Sequence, residues 1–392
     1  MKWFSDIPRH LPRATGPYVP GMLDVMFDYT KEGPFVRFYY PTRVDSSFKD
    51  QSKTWIQWLP HDNYLVGIAR VIMLYSFLLR IVFWWSDGIK IPAQYGAKPR
   101  TEEKLKCVIM SHGLGANRFF YSNICCELAS RGFLVVALEH KDQSACYTYY
   151  FQNASDAEND RKINLEFRYI KFGRDHYEKR NEQLKVRAAE FCAVLDYLIG
   201  LQRGEAPRNI MRNAPDVASA DVILEDFAGH LDLDSVTVMG HSFGAATALY
   251  ALSIRKEFKQ GILLDPWMFP VKGERLEEKV RQPLLFVNTQ TFHIGSNVDA
   301  MAKMLTNADS EIYTIRHTTH ESQTDSVLLI GYWLNWFMKK LDPLQALRIN
   351  NCLILRFLNK TLGYPGDVRD CVDYLKVEEK ENVERGLTKP WA

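Results

Sequence analysis

The pentapeptide GHSFG at 240–244 carries the clearest chemical signal in this chain. It follows an apolar run of strand length, Val236–Met239, and precedes a stretch with helical spacing. A serine on a tight turn between a strand and a helix presents its hydroxyl above the sheet. Glycines two residues to either side remove the Cβ atoms that would collide there. The pattern predicts that Ser242 is a nucleophile and that backbone N–H groups at the helix start receive developing negative charge.

A nucleophilic serine needs a base, and the base needs a carboxylate to orient it. In the common order these groups follow as serine, acid and histidine. Asp265 ends the apolar run at 261–264, at a strand tip facing the same edge as Ser242, so it is the candidate acid. His317 and His320 both follow the last predicted strand, and position alone does not decide which is the base. Three later aspartates are weaker candidates for the acid, because they fall in helices or away from strand ends: Asp299, Asp309 and Asp325.

The turn SHGLGA at 111–116 follows an earlier predicted strand and is bracketed by glycines. Such a turn suits the exposure of a backbone N–H, so the N–H groups of Leu114 and Phe243 are predicted to form an oxyanion hole. His112 and His241 flank this position, and packing is the expected role of both.

Five motifs together resemble the platelet-activating factor acetylhydrolase family, most closely its intracellular branch. They are SHGLGANR at 111–118, EHKDQSA at 139–145, GHSFGAATA at 240–248, LLDPWMFP at 263–270 and HESQTD at 320–325. Members of this family are Ca²⁺-independent serine phospholipases of α/β-hydrolase fold. The resemblance implies Ser242 as nucleophile, Asp265 as acid and His320 rather than His317 as base. It also implies the backbone N–H groups of Leu114 and Phe243 as the oxyanion hole.

The same resemblance implies hydrolysis of the sn-2 ester of platelet-activating factor, or of phospholipids with a short or oxidised sn-2 chain, through an acyl-serine. It further implies peripheral docking on a membrane or lipid surface. No motif in the sequence indicates a metal or an organic cofactor, so none is expected. Two alternatives stay open, a broader carboxylesterase or acyl transferase and a lipid-surface binding protein with a vestigial triad, although the intact serine, aspartate and histidine argue against the latter.

Apolar runs of strand length recur along the chain, and most stretches between them have helical spacing or length. The runs are Phe35–Tyr40, Cys107–Met110, Phe133–Leu138, Val236–Met239, Gly261–Leu264, Leu284–Val287 and Ile312–Ile315. This alternation predicts the α/β class, with a mostly parallel central sheet flanked by helices, in agreement with the α/β-hydrolase fold that the resemblance implies.

The whole chain, 1–392, is predicted to form a single α/β-hydrolase domain with two insertions and a C-terminal extension. The insertions are an apolar helix at 64–86 and a charged, solvated surface segment at 154–187 that leads into a helix around Val186–Leu198. The extension at 341–392 matches no motif.

The run Tyr64–Trp85 is the most hydrophobic stretch of the chain, and Arg70 and Arg80 interrupt it. Three interpretations compete: a buried helix, a helix lying in a membrane interface, and a true span. The cost of inserting two arginines nearly offsets the gain from the apolar side chains, so peripheral attachment is predicted rather than a span. Trp84 and Trp85 suit the headgroup level.

Composition narrows the class of protein. Lys and Arg number 49 against 47 Asp and Glu, a net charge of +2, which provides no bulk attraction for nucleic acid. Hydrophobic residues make up 46% of the chain, which excludes a disordered protein. Aromatic residues at 13%, with nine Trp, favour apolar or amphipathic ligands and membrane interfaces.

The seven cysteines contain no CxxC pair, and Cys107 and Cys125 lie in apolar runs. A reducing compartment fits this usage, and a zinc site is not expected. The first thirty residues lack an apolar core typical of a secretory signal, and Met1-Lys2 lacks the glycine that N-myristoylation needs. The expected location is cytoplasmic with peripheral membrane association, and the oligomeric state stays open.

Overall fold

A large, mostly parallel sheet organises this computed structural model, which describes residues 9–45, 51–83, 88–205, 209–211, 224–330 and 340–389. The strands of the main sheet are β1 (Pro20–Met26), β2 (Phe35–Pro41), β3 (Gln94–Tyr95), β4 (Leu105–Ser111), β5 (Phe133–Glu139), β8 (Leu231–His241), β9 (Phe258–Leu264), β10 (Leu284–Thr289), β11 (Glu311–Ile315) and β12 (Val383–Arg385). A separate antiparallel hairpin consists of β6 (Tyr147–Tyr150) and β7 (Ile163–Glu166).

Within the described residues the main sheet has ten strands, in the order β12-β11-β10-β9-β8-β4-β5-β2-β1-β3. The run from β11 to β5 is parallel throughout. Antiparallel strands extend it on both sides, with β12 against β11 and with β2 and β1 beyond β5. Because the six central strands share one direction, their carboxyl ends and the loops that follow them meet at one edge.

Helices cover both faces of this sheet. They are α1 (Asp62–Val71), α2 (Ser76–Phe83), α3 (Ser122–Ser130), α4 (Ala154–Glu158), α5 (His176–Gln202), α6 (Phe243–Ile254), α7 (Leu276–Lys279), α8 (Gly295–Met304), α9 (Ser326–Ile330), α10 (Pro343–Leu362) and α11 (Arg369–Glu381). Side chains from α1, α3, α10 and α11 belong to the core on one face, and those from α5, α6 and α8 belong to the core on the other.

Strand β5 shows that the central sheet is buried on both faces. Its residues alternate between the two cores, with Val135 and Ala137 in one and Leu134, Val136 and Leu138 in the other. A strand buried on both faces has a continuous apolar sequence, which is the signal that predicted it. All seven predicted strand runs lie inside strands of this sheet. The prediction of a mostly parallel sheet is confirmed.

The apolar run at 64–86 was predicted as one helix, and that prediction is wrong. The run forms α1 and α2, which a turn at 72–75 separates. Met73 in this turn has a φ of 55°, a left-handed conformation. The turn contains no glycine or proline from which it could have been predicted. Trp84 and Trp85 lie outside the described residues.

The charged segment at 154–187 is also less solvated than predicted. Helix α5 begins at His176, ten residues before the predicted helix start at Val186, and continues to Gln202. Arg180 and Arg187 are buried on it. Hairpin strand β7 occupies part of the remainder.

The segment predicted as a C-terminal extension is integrated into the fold. Helices α10 and α11 contribute buried side chains to the core on one face of the sheet, and β12 pairs with β11 as its edge strand. The interior of α10 includes Ile349, Leu353 and Phe357, which recur at helical spacing.

A buried ion-pair network anchors the loop after β4 to three other elements. Arg118 contacts Asp24 on β1 at 3.0 Å, Glu139 at the end of β5, and the hydroxyl of Tyr64 on α1 at 2.6 Å. Arg37 contacts the same Asp24 at 2.6 Å. Burial alone would raise the pKa of Asp24, but the two guanidinium groups hold it well below its usual range. The network therefore keeps α1 and the loop after β4 together.

Candidate active site

Ser242 lies on a sharp turn between β8 and α6, at the carboxyl edge of the sheet. Its φ of 56° and ψ of −116° are strained for a residue with a side chain. A Cβ on Gly240 would collide with the backbone of Gly244, and one on Gly244 would collide with the Ser111 carbonyl. The two glycines of the pentapeptide are therefore required because a side chain at either position would collide with the backbone.

Two backbone hydrogen bonds fix this turn relative to the end of the neighbouring strand. The N–H of Ser242 donates to the Leu264 carbonyl at 2.9 Å, and the Ser242 carbonyl accepts from the N–H of Trp267 at 3.0 Å. Leu264 and Trp267 lie on either side of Asp265. The register of β8 against β9 thus sets the distance between the serine and the predicted acid.

Asp265 is fully buried and contacts His320, whose Nδ1 lies 2.9 Å from its Oδ2. The N–H and the hydroxyl of Thr289, at the end of β10, donate to the two carboxylate oxygens at 2.6 and 2.5 Å. These donors hold the carboxylate in one orientation, so it can hold Nδ1–H of the imidazole in turn. His320 begins a short 3₁₀ turn, His320–Gln323, which Thr319 caps.

His317, the other candidate base, lies three residues earlier but does not meet Asp265 among the described residues. Its N–H donates to the Gln290 side chain at 2.5 Å, and its carbonyl accepts from Leu341 at 2.8 Å. These contacts are made by its backbone, and its φ is 58°. The structure brings His320, and not His317, to the predicted acid.

The weaker acid candidates lie elsewhere. Asp325 accepts hydrogen bonds from Trp58 Nε1 at 3.0 Å and from the N–H groups of Ser122 and Asn123 at 2.8 and 3.1 Å, at the start of α3. Burial raises its pKa to about 7. Asp309 forms an ion pair with Lys360, and Asp299 lies on α8.

Aromatic rings enclose the His320 imidazole on two sides. Phe292 stacks on it with ring centroids 4.1 Å apart, and His241 lies on it with centroids 4.3 Å apart. Burial, together with the neighbouring His320, holds the pKa of His241 well below its usual range. His241 is therefore neutral, and it positions the ring of His320 without adding a second positive charge beside it.

The loop after β4 packs against the serine turn. A Cβ placed on Gly113 would lie 3.3 Å from Ser242 Cβ, a tight contact that would push the neighbouring side chains back by a few tenths of an ångström. Within the described part of the chain, the N–H groups of Leu114 and Phe243 have no protein acceptor. Neither N–H group is thus taken by a described acceptor, and their role as an oxyanion hole stays a prediction.

Tyr121 links this loop to the serine turn, and sequence reasoning missed it. Its hydroxyl accepts from the N–H of Gly113 at 3.0 Å and lies 2.9 Å from His241 Nδ1. It lies in an apolar stretch, where an aromatic residue is normally read as core, so no pattern distinguished it.

Arg187 lies in the segment that was predicted to be solvated, but it is buried and supports the loop after β4. Its guanidinium donates to Ser144 Oγ at 2.9 Å, to Ser111 Oγ at 3.2 Å and to the His112 carbonyl. It also lies 4.5 Å from the centre of the Phe243 ring. Burial lowers the pKa of Arg187 to about 10, which leaves the side chain charged at neutral pH.

Two further buried groups complete this support. Glu190, one helical turn after Arg187, accepts from the N–H of Lys141 at 2.9 Å and lies 2.5 Å from His140 Nδ1. The other nitrogen of His140 lies 2.7 Å from Ser111 Oγ. Burial raises the pKa of Glu190 to about 7. The EHKDQSA motif therefore contributes to the site by holding the loop after β4.

His241, Asp265 and His320 also lie close enough to hold a metal ion, with ligand atoms within 4.8 Å of one another. The carboxylate of Asp265, however, already contacts the Thr289 N–H, the Thr289 hydroxyl and His320. This arrangement orients an imidazole for proton transfer and leaves the carboxylate poorly placed to ligate metal. The expectation that no metal is used stays a prediction.

Sequence comparison relates nearly the whole chain to one family. A family model described as "Platelet-activating factor acetylhydrolase, isoform II" matches residues 5–382. The platelet-activating factor acetylhydrolase of Bos taurus is 36% identical over 378 residues, covering 95% of this chain and 82% of the relative. That of Cavia porcellus is 35% identical over 357 residues, covering 90% and 78%. A putative phospholipase A2 of Schizosaccharomyces pombe is 26% identical over 384 residues, covering 83% of each.

Structural comparison identifies the fold. A ferulic acid esterase from Streptomyces cinnamoneus superposes with a TM-score of 0.60 over 90% of this chain and 93% of that chain, at 16% identity. At this identity the likeness concerns the fold alone. It confirms the α/β-hydrolase fold predicted from the sequence.

Proposed function

The chain belongs to the platelet-activating factor acetylhydrolase family, isoform II, and from this premise we propose that it hydrolyses the sn-2 ester of platelet-activating factor or of phospholipids with a short or oxidised sn-2 chain. Family and fold make it a hydrolase that acts on esters. The observation that carries the finer proposal is the contact between Asp265 and His320 beside the strained Ser242 turn.

In the proposed acylation step, His320 Nε2 accepts the hydroxyl proton of Ser242 as Oγ attacks the sn-2 carbonyl carbon. Asp265 holds Nδ1–H and stabilises the imidazolium that forms. The carbonyl oxygen becomes an oxyanion and accepts hydrogen bonds from the N–H groups of Leu114 and Phe243. The tetrahedral intermediate then collapses, and the imidazolium donates its proton to the departing glycerol oxygen. The products of this step are a lysophospholipid and an acyl-serine.

Deacylation repeats the sequence with water as the nucleophile. His320 removes a proton from water as its oxygen attacks the acyl carbonyl, and the same two N–H groups receive the oxyanion. The proton then returns to Ser242 Oγ as the carboxylic acid leaves. In the described residues no hydrogen bond joins Ser242 Oγ to the His320 ring, and contacts of this kind often tighten only when substrate binds.

The sn-2 chain length distinguishes this proposal from a general esterase. Ser242 is almost completely buried. The aromatic rings of Phe243 and Trp267 lie in the same region, and their centroids are 5.5 Å from each other. We expect kcat/KM for an sn-2 acetyl phospholipid to exceed that for an sn-2 palmitoyl phospholipid by about 100-fold or more. Release of the free acid from a series of sn-2 chain lengths, presented in the same detergent micelles, measures this ratio.

Other outcomes of the chain-length series favour the alternatives. Equal rates across the series would indicate a broader carboxylesterase. Transfer of the acyl group to an added alcohol in preference to water would indicate an acyl transferase. A folded protein that turns over no ester of the series would indicate a lipid-binding protein with a vestigial triad.

The proposal includes peripheral attachment to a phospholipid surface through an apolar hairpin, defined as residues 72–81 at the junction of α1 and α2. Met73, Tyr75 and Phe77 in this hairpin are 82%, 74% and 59% exposed. Exposed apolar side chains clustered on one short segment are typical of a membrane contact. Val71, directly before the hairpin, packs on Gly115 in the loop after β4, so the hairpin lies beside the site.

The two arginines of this region are each paired with an acidic side chain. Arg70 pairs with Glu166 at 2.6 Å, and Arg80 pairs with Asp62 at 2.8 Å, all at the surface. Among the described helices, none is long and apolar enough to cross a membrane. The two surface ion pairs are compatible with attachment of this region at an interface.

Replacing Met73, Tyr75 and Phe77 together with serine should weaken binding to phosphatidylcholine vesicles by about 100-fold or more. Burial of three such side chains in lipid contributes about 3–5 kcal/mol, which the variant loses. Activity on vesicle-embedded substrate should fall with binding, while hydrolysis of a water-soluble acetyl ester should stay near the wild-type rate. Vesicle flotation and the two activity assays measure these effects.

Ile254→Ser is the matched control, because Ile254 is also exposed, at 47%, but lies at the end of α6 opposite to Ser242. The control should bind vesicles like the wild type. Equal binding by the triple variant and the wild type would contradict the assignment of the hairpin.

A further inference from the structure

Two cysteines that no catalytic role uses lie in contact between the last two helices. Cys352 on α10 and Cys371 on α11 are both buried, and their sulfur atoms are 2.7 Å apart. All seven cysteines fall within the described residues, and all are free thiols. This is the pair among them whose sulfurs touch.

The contact follows from the way the two helices pack. Gln345 precedes Cys352 by seven residues on α10, and Glu378 follows Cys371 by seven residues on α11. The side chains of Gln345 and Glu378 are hydrogen-bonded at 2.9 Å. Seven residues are two helical turns, so both contacts belong to one antiparallel register. The short connection at 363–368, beginning with Gly363 at a φ of 65°, allows this antiparallel return.

We propose that Cys352 and Cys371 form a disulfide when the protein meets a small peroxide, and that this bond joins α10 to α11 covalently. The geometry favours this pair over the other five thiols because a disulfide needs two sulfurs brought together by a fixed backbone. Cys125, by comparison, contacts Met110 Sδ, and Cys107 contacts the Leu105 carbonyl. The inference does not depend on the proposed substrate.

The reaction balances with one peroxide per disulfide. With hydrogen peroxide as the oxidant, the sulfur of one cysteine attacks a peroxide oxygen, the O–O bond breaks, and the departing hydroxide takes the thiol proton and leaves as water, so that a sulfenic acid forms. The sulfur of the second cysteine attacks the sulfenic sulfur, the S–O bond breaks, and a second water carries away the remaining thiol proton. The two thiols together lose two electrons, and the peroxide gains them.

Formation should be slow compared with oxidation of an exposed thiol. The hydrogen bond to Cys371, together with burial, raises the pKa of Cys352 above its usual value. Little reactive thiolate is therefore present at neutral pH. In a reducing compartment the pair is expected to remain as thiols, and the disulfide is expected under peroxide exposure.

The bond would stabilise the segment that carries the predicted base. Gln323, in the turn that begins with His320, donates to Asn350 on α10 at 3.3 Å. Asn382, which directly follows α11, accepts from the N–H of Arg316 at 2.7 Å. Both helices thus hold the loop between β11 and His320. A disulfide closing a loop of about 20 residues should raise the Tm by about 3–6 °C.

Peptide mapping tests the bond directly. The full-length reduced protein is treated with hydrogen peroxide and then denatured in the presence of iodoacetamide, which alkylates the remaining thiols. It is digested with trypsin without reductant. Cys352 and Cys371 fall on separate tryptic peptides, 349–356 and 370–376, each with one cysteine. We expect these two peptides as one linked species that reductant separates. Recovery of both as alkylated thiols, or of Cys352 linked to another cysteine, would overturn the proposal.

Thermal unfolding tests the consequence. Peroxide should raise the Tm of the wild type and of Cys192→Ala, which removes a half-buried thiol on α5, but not of Cys371→Ala. A linked peptide without a rise in the wild-type Tm would overturn the stabilising role. The comparison of reduced with oxidised wild type decides this even if Cys371→Ala does not fold.

Discussion

Ser242→Ala should lower kcat for ester hydrolysis by about 10⁴-fold or more, because the variant lacks the atom that attacks the substrate. The fold should be unchanged, since the substitution removes one oxygen and keeps the Cβ that the strained turn already accommodates. The decrease is measured with the sn-2 acetyl substrate, and the fold is checked by circular dichroism and by the Tm. A serine-directed phosphonate should label Ser242 in the wild type and nothing in the variant.

Ser253→Ala provides the matched control on the same helix. Its hydroxyl donates to the Tyr250 carbonyl at 2.7 Å and does not take part in the site. Its activity should stay close to wild type. If Ser242→Ala retained activity within about tenfold of the wild type, the serine mechanism would have to be abandoned.

His320→Ala should lower kcat by about 10³-fold or more, whereas His317→Ala should change it by less than about tenfold. The reason is that His320 Nδ1 contacts Asp265, while the contacts of His317 are made by its backbone and survive the substitution. The pair of variants is compared in kcat at several pH values.

The reverse ranking of the two histidine variants would show that the base had been misassigned. Because the two residues lie three positions apart on one loop, general destabilisation of that loop would affect both variants alike. A difference between them therefore reports on chemistry rather than on folding.

The sequence predicted the parts of the site that local patterns specify. Strand β8, Ser242 and the flanking glycines follow from an apolar run and a five-residue motif, and Asp265 follows from its place at the end of β9. These features depend on neighbours along the chain. Position alone left His317 and His320 undecided, because the choice depends on which imidazole the loop turns toward Asp265.

The missed features depend on contacts between distant segments. Arg187 belongs to a run of charges that normally faces water, but Ser111, Ser144 and the His112 carbonyl provide its hydrogen bonds in the interior. None of these acceptors lies within forty positions of it in the sequence, so no local pattern reports the burial. The turn at Met73 escaped prediction for a different reason, since its left-handed backbone occurs without glycine.

The short strands at the two ends of the main sheet determine how it meets other molecules. β12 has three residues and β3 has two, whereas the strands they cover have five and seven. Each outer strand is too short for a strand of another chain to pair with it stably. Glu384 on β12 also carries a charge, paired with Arg316. A sheet of this size would otherwise be open to edge-to-edge polymerisation, and its short outer strands make it resistant to aggregation by sheet extension.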